Sequence, residues 1–75
     1  MGWFKEFHGA KDFGFRREDN LGYVGKTKSG HFWQVFIRSS ADKGFTLLSP
    51  HGWADEKSAM ADADKWIDKW QEEAA

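Results

Sequence analysis

Apolar and polar positions alternate along the first two thirds of the chain. In residues 12–17, DFGFRR, Phe13 and Phe15 interleave with Gly14 and Arg16, the period-two pattern of a strand. Glu18-Asp19-Asn20 carries turn chemistry. Residues 21–28, LGYVGKTK, read as a second strand loosened by Gly22 and Gly25. Ser29-Gly30 then makes a tight hairpin connection. Residues 31–38, HFWQVFIR, form the strongest strand, rich in aromatic and β-branched side chains. A polar loop over residues 39–44 leads to a last strand at residues 45–49, FTLLS, which Pro50-His51-Gly52 stops.

From Asp55 the period changes. Ala59, Met60, Ala63, Trp66, Ile67 and Trp70 recur at spacings of three and four, one stripe of an amphipathic helix. Its length is about five turns at 3.6 residues each. Asp55 suits the N-cap, and Glu56 places negative charge in the first turn, where the helix dipole favours it. Asp62, Asp64, Lys65, Asp68 and Lys69 form a solvated face. Asp64 and Asp68 are a like-charged i,i+4 pair, so removing either is expected to be neutral or slightly stabilising. At the N-terminus, GWFKEFHG spaces Trp3, Phe4 and Phe7 at i, i+1 and i+4, which suits a short docked helix or an extended arm. The expected fold is α+β: a single domain over residues 1–75, with an antiparallel β-meander of three or four strands packed against one C-terminal amphipathic helix.

The hairpin divides the strand residues between two faces. A two-residue loop at Ser29-Gly30 pairs Lys28 with His31, Lys26 with Trp33 and Val24 with Val35, and opposed residues share a face. One face then carries Lys26, Lys28, His31, Trp33, Val35 and Ile37. The other carries Tyr23, Phe32, Gln34, Phe36 and Arg38, joined by Phe45 and Leu47. Judged by apolar content, the helix should cover the second face, with Trp66 and Ile67 as its anchors. The first, basic-aromatic face is then open, or partly covered by Trp3, Phe4 and Phe7.

Composition sharpens this picture. The chain has 75 residues, no cysteine, five Trp and seven Phe. A domain so small has a thin core and usually needs a staple. Without disulfides or thiolate metal sites, large aromatic rings take that role. No signal-peptide pattern or membrane-length apolar run occurs, so the expectation is a soluble cytoplasmic protein with no membrane partner. The formal net charge is −1. It conceals an asymmetry: residues 1–43 hold eight Lys/Arg against five Asp/Glu, whereas residues 44–75 hold three Lys against seven Asp/Glu. Neither part is as basic as a dedicated nucleic-acid domain.

Catalytic chemistry is not indicated. His8, His31 and His51 fall in three separate segments without metal-ligand spacing. The string Gly22-Tyr23-Val24-Gly25 sits in a strand, whereas nucleic-acid-clamping GxxG loops join helices. Neither a phosphate loop nor a nucleophile elbow occurs. The chain reads as a non-enzyme with no cofactor and no metal. Its surplus aromatic surface points to a module that binds a protein partner, with Trp3, Phe4, Phe7, Trp33 and Arg38 as candidate anchors, since Trp and Arg are favoured at interface centres. The oligomeric state is open.

A second function class comes from a resemblance. The segment GYVGKTKSGHFWQVFIR, the strand after it and the helix start WADEKSAMADA resemble the APETALA-type (ethylene-response-factor) DNA-binding domain and the arm-binding domain of phage integrases. Trp53, Asp55 and Ala59 match that family's aromatic, N-cap and small-residue positions, and the likeness spans residues 22–66. It implies a three-stranded sheet backed by one helix, with Lys26, Lys28, Trp33 and Arg38 as sheet contacts to DNA, helped by Arg16 and Arg17. The short aromatic-rich chain also resembles small accessory proteins of phages and mobile elements.

Overall fold

The computed structural model describes residues 2–10, 12–27, 30–48 and 52–74. Five strands precede one helix: β1 (Trp3–Phe7), β2 (Phe13–Arg17), β3 (Gly22–Lys26), β4 (Trp33–Ile37), β5 (Thr46–Leu47) and α1 (Glu56–Ala74). The strands form one antiparallel sheet in the order β1-β2-β3-β4-β5. The α+β class and the meander are as expected, but the sheet has five strands rather than three or four. The additional strand is β1. Neither helix nor free arm, the N-terminal segment pairs along its whole length with β2, from Trp3 opposite Arg17 to Phe7 opposite Phe13. Pairing satisfies its backbone, which a helix of two turns could not do for itself in water.

The hairpin register agrees with a short loop. Lys26 lies opposite Trp33 and Val24 opposite Val35. Thr27 N–H donates to Phe32 C=O at 2.9 Å and Gly30 N–H to Thr27 C=O at 2.9 Å. Lys28, Ser29 and the expected pairing of Lys28 with His31 lie outside the described residues. The turn between β2 and β3 uses the chemistry read from its sequence. Asn20 takes φ 67°, a conformation Asn tolerates, and Asp19 Oδ1 accepts from Leu21 N–H at 3.1 Å. The helix is capped as expected, since Asp55 accepts both the N–H and the hydroxyl of Ser58, at 2.8 and 3.0 Å. Hydrogen bonds to Ser58 hold the Asp55 carboxyl below its ordinary pKa. Ahead of the cap, Trp53 and Trp33 exchange backbone hydrogen bonds at 2.7 and 2.8 Å, which seats the helix start at one end of β4.

The helix covers the face opposite to the one expected. Val24, Trp33, Val35 and Ile37 are buried against Ala59, Ala63 and Ile67. The reason is shape. Ala59, Ala63 and Ile67 fall at i, i+4 and i+8, so two small residues and one aliphatic chain allow close approach to a flat aliphatic row. Gly22 deepens that fit. A Cβ there would lie 2.8 Å from Ile67 Cδ1 and 2.8 Å from Trp3 Cη2, so both side chains pack into the space it leaves. Ile67 is fully buried, as expected of an anchor, whereas Trp66 is 37% exposed and is not one. Full burial of an isoleucine contributes about 1.5–3 kcal/mol.

The acidic helix face also departs from expectation. Arg17 is buried, with Asp19 Oδ2 at 3.2 Å, Asp64 Oδ1 at 3.2 Å and Asp68 Oδ1 at 3.3 Å. Asp64 Oδ1 accepts the Trp3 indole N–H as well, at 3.0 Å. The two aspartates therefore share a cation and tie α1 to β1 and β2; they are not simply a repulsive solvated pair.

Candidate functional site

The face away from the helix is open. Pairing places one residue from each strand in a row across it: Phe4, Arg16, Tyr23, Phe36 and Leu47. Phe45 stands beside this row, within reach of both Arg16 and Arg38. Phe4 is 49% and Leu47 41% exposed, while Tyr23, Phe36 and Phe45 are half-buried.

Two glycines shape the centre. The adjacent row runs Glu6, Gly14, Gly25 and Gln34. A Cβ on Gly14 would sit 2.1 Å from Tyr23 Oη, and one on Gly25 would sit 2.9 Å from the Tyr23 ring. Tyr23 therefore lies flat along the sheet in the space that two side chains would fill. Its hydroxyl reaches His8 Nε2 at 2.6 Å, and the two rings meet edge to face at 5.7 Å. The phenol donates when Nε2 carries no proton and accepts when it does. Burial, reinforced by Glu6 and Asp12, pushes the Tyr23 pKa up, so the ring stays neutral.

Arginines frame the aromatics. Arg16 makes a two-pronged ion pair with Glu6, with Nη2 to Oε1 at 3.1 Å, and its Nη1 donates to Asn20 Oδ1 at 2.7 Å. The Arg16 hydrogen bond holds the Glu6 carboxyl below its ordinary pKa, and the same pairing raises that of Arg16. The Arg16 guanidinium also lies 5.2 Å from the Tyr23 ring centre. Arg38 stacks on Phe45 at 4.2 Å and donates to Asn20 C=O and Lys43 C=O at 2.7 and 3.1 Å. Between these groups is a shallow hollow of about 330 Å³, walled by His8, Arg16, Tyr23, Phe36 and Phe45. The arrangement offers aromatic faces with a hydroxyl and arginine edges, which suits recognition by stacking and hydrogen bonding.

The candidate residues read from sequence do not gather in one place. Phe4, Arg16 and Arg38 belong to the open face. Phe7, 67% exposed, is on the helix side, where it meets Phe13 at 6.1 Å between ring centres. Trp3 is half-buried against the core, and Trp33 is 7% exposed beneath the helix. Arg17 is enclosed by carboxylates. Lys26 is exposed on the helix side, above the Phe13 and Trp33 rings at 5.8 and 5.3 Å. Lys28 is outside the described residues. Sequence reasoning misses Tyr23, Phe36, Phe45, Leu47 and His8, because it places the first four on the face the helix is expected to cover. Gly14 and Gly25 were the available signal, since strand glycines mark close approach by another group.

Among the described residues no cluster of three or more His, Cys, Asp or Glu could hold a metal ion. No described helix is long and apolar enough to cross a membrane. No family model, curated protein or solved structure matches the chain.

Proposed function

We propose that the protein is a small non-enzymatic interaction module that binds a protein partner through the open face of its sheet. The supporting observation is the uncovered row Phe4, Arg16, Tyr23, Phe36 and Leu47, with Phe45 beside it. A contiguous apolar patch rimmed by polar groups is the usual mark of an interaction surface. The alternative, DNA read by the sheet, has weaker support. Duplex binding draws its affinity from cations free to meet phosphate. Arg16 is paired with Glu6, Arg17 is enclosed by aspartates, and Trp33 is under the helix.

The test is capture of partners from lysate by the immobilised protein, with and without nuclease. Wild type and Phe7→Ala should retain the same protein after nuclease treatment, and Phe36→Asp should lose it. Capture that nuclease abolishes, or that Phe36→Asp leaves intact, overturns this reading.

A further inference from the structure

Strand β1 is an edge of the sheet. Glu18 N–H donates to Gly2 C=O at 3.1 Å and His8 N–H to Asp12 C=O at 2.8 Å, so the residues that bond inward to β2 are even-numbered. Bonding alternates along an antiparallel pair, so Trp3, Lys5 and Phe7 turn their N–H and C=O groups outward. Among the described residues the two most exposed large apolar side chains, Phe7 and Phe4, are on this strand, one on each face. The helix lies over β3 and β4 and meets β1 through Asp64, which accepts the Trp3 indole N–H. The opposite edge, β5, has only two residues.

The side chains select the occupant and its register. Outward-facing residues must meet outward-facing residues, and a second β1 running antiparallel overlaps the five-residue strand over three residues or more only when centred on Phe4, Lys5 or Glu6. Centring on Lys5 sets lysine against lysine, and centring on Glu6 sets glutamate against glutamate; like charges directly opposed are destabilising. Centring on Phe4 opposes the two exposed phenylalanines and sets each Lys5 against Trp3 of the other copy, so that no like charges are directly opposed. We infer that the protein forms a symmetric dimer through β1, with Phe4 at the two-fold axis. The axis stands perpendicular to the sheet, so both helices lie on one side. The two open faces then join, and the row across one copy continues through Phe4 into the other. The inference does not depend on the proposed partner.

Sedimentation from micromolar to millimolar concentration should show a reversible monomer–dimer equilibrium. The natural chain has no cysteine, so single cysteines read the register directly. Opposed residues in a non-hydrogen-bonded pair have Cα atoms about 4.5 Å apart, within disulfide reach. Under mild oxidation Phe4→Cys should form a covalent dimer, and Lys5→Cys and Glu6→Cys should not. Phe7→Cys is the exposed control, since its two copies would be about 20 Å apart along the strands. Lys5→Pro removes an outward donor without touching the ladder to β2, so it should weaken dimerisation while the circular dichroism spectrum is retained. If that variant fails to fold, amide exchange of the natural protein decides: Trp3 and Lys5 should be protected only at concentrations where the dimer forms. A chain that stays monomeric at millimolar concentration overturns the proposal. So does preferential linkage at position 5 or 6, or a dimer that folded Lys5→Pro leaves unchanged.

Discussion

The two faces of the sheet carry similar apolar content but are finished differently. The covered face is recessed: Val24, Val35 and Ile37 are at most 1% exposed, Trp33 is buried beside them with Phe13 and Phe15 packed against this core, and Gly22 admits Ile67 and Trp3 from outside the strand. The open face is aromatic, and its recess at Gly14 and Gly25 is filled by the sheet's own Tyr23. Aliphatic side chains gain only by leaving water, so they require a cover. Aromatic rings beside arginines and a hydroxyl have favourable contacts at a wet surface. Counting apolar residues without β1 and β2 ranks the faces the wrong way, because it leaves out Trp3, Phe13 and Phe15, which those strands add to the helix side.

The largest effect expected from this difference is at the helix. Ile67→Ala empties a fully buried site and should cost about 2–5 kcal/mol by denaturant unfolding, a large part of the stability of a small domain. The neighbouring Trp66→Ala removes the bigger side chain but should cost about 1 kcal/mol or less, because Trp66 is 37% exposed, with Lys69 over its ring. Similar losses from the two variants would mean that the helix does not face the sheet through Ala59, Ala63 and Ile67.

The second effect tests Arg17, the one buried charge among the described residues. Asp64→Ala leaves the Trp3 indole N–H without its acceptor and removes one of the carboxylates around Arg17. Orphaning a partly buried donor costs about 1–3 kcal/mol. The change should destabilise, opposite in sign to the gain expected from relieving repulsion with Asp68. An unchanged or raised unfolding midpoint would show that the Arg17 cluster contributes no stability.

These outcomes mark what local pattern can reveal. Period-two alternation is enough for β2, β3 and β4, and the Ser29-Gly30 signal is enough for the register of β3 against β4. The 3.6 period and the Asp55 cap located the helix. The N-terminal strand was obscured because β1 carries aromatics on both faces, so Trp3, Phe4 and Phe7 imitate a helical stripe. The partnership of Arg17 with Asp64 joins residues 47 apart, and nothing near either one announces it. The open site was missed for a related reason: it depends on which face the helix chooses, and shape complementarity across the fold decides that choice.

A third, smaller effect belongs to the open face. Gly14→Ala would drive a methyl group into the Tyr23 hydroxyl and against the Val24 carbonyl, which is 2.7 Å from the new Cβ. The tyrosine must swing off the sheet and give up His8. Overpacking of this kind costs about 1–3 kcal/mol, since the ring can move into solvent but the Val24 carbonyl must shift with its strand. The sharper readout is spectroscopic: ring-current shifts between His8 and Tyr23 in the natural protein should vanish in the variant. Their persistence would mean that Tyr23 does not lie flat across the glycines.

The smallest effect is the pH dependence carried by Glu6. Its carboxyl is held below the ordinary glutamate pKa, first by the hydrogen bond from Arg16 and then by the charges of Arg16 and His8, against a partial opposition from burial. A depressed folded-state pKa means that the unfolded chain takes up the proton first as acid is added. The contribution of the pair is therefore complete above the unfolded pKa and is lost as pH falls through the folded one. Both lie in the acid range, so nothing should change near neutrality. Glu6→Gln removes the ionisation and should flatten the acid limb of the stability curve, with the natural protein and the variant converging at the lowest pH. Exposed ion pairs contribute at most about 1 kcal/mol, so the change in slope is modest, and it should shrink further in high salt. An acid limb identical in the two proteins would show that Glu6 and Arg16 meet without stabilising the sheet. The open face would then owe its order to Tyr23 and the glycines alone.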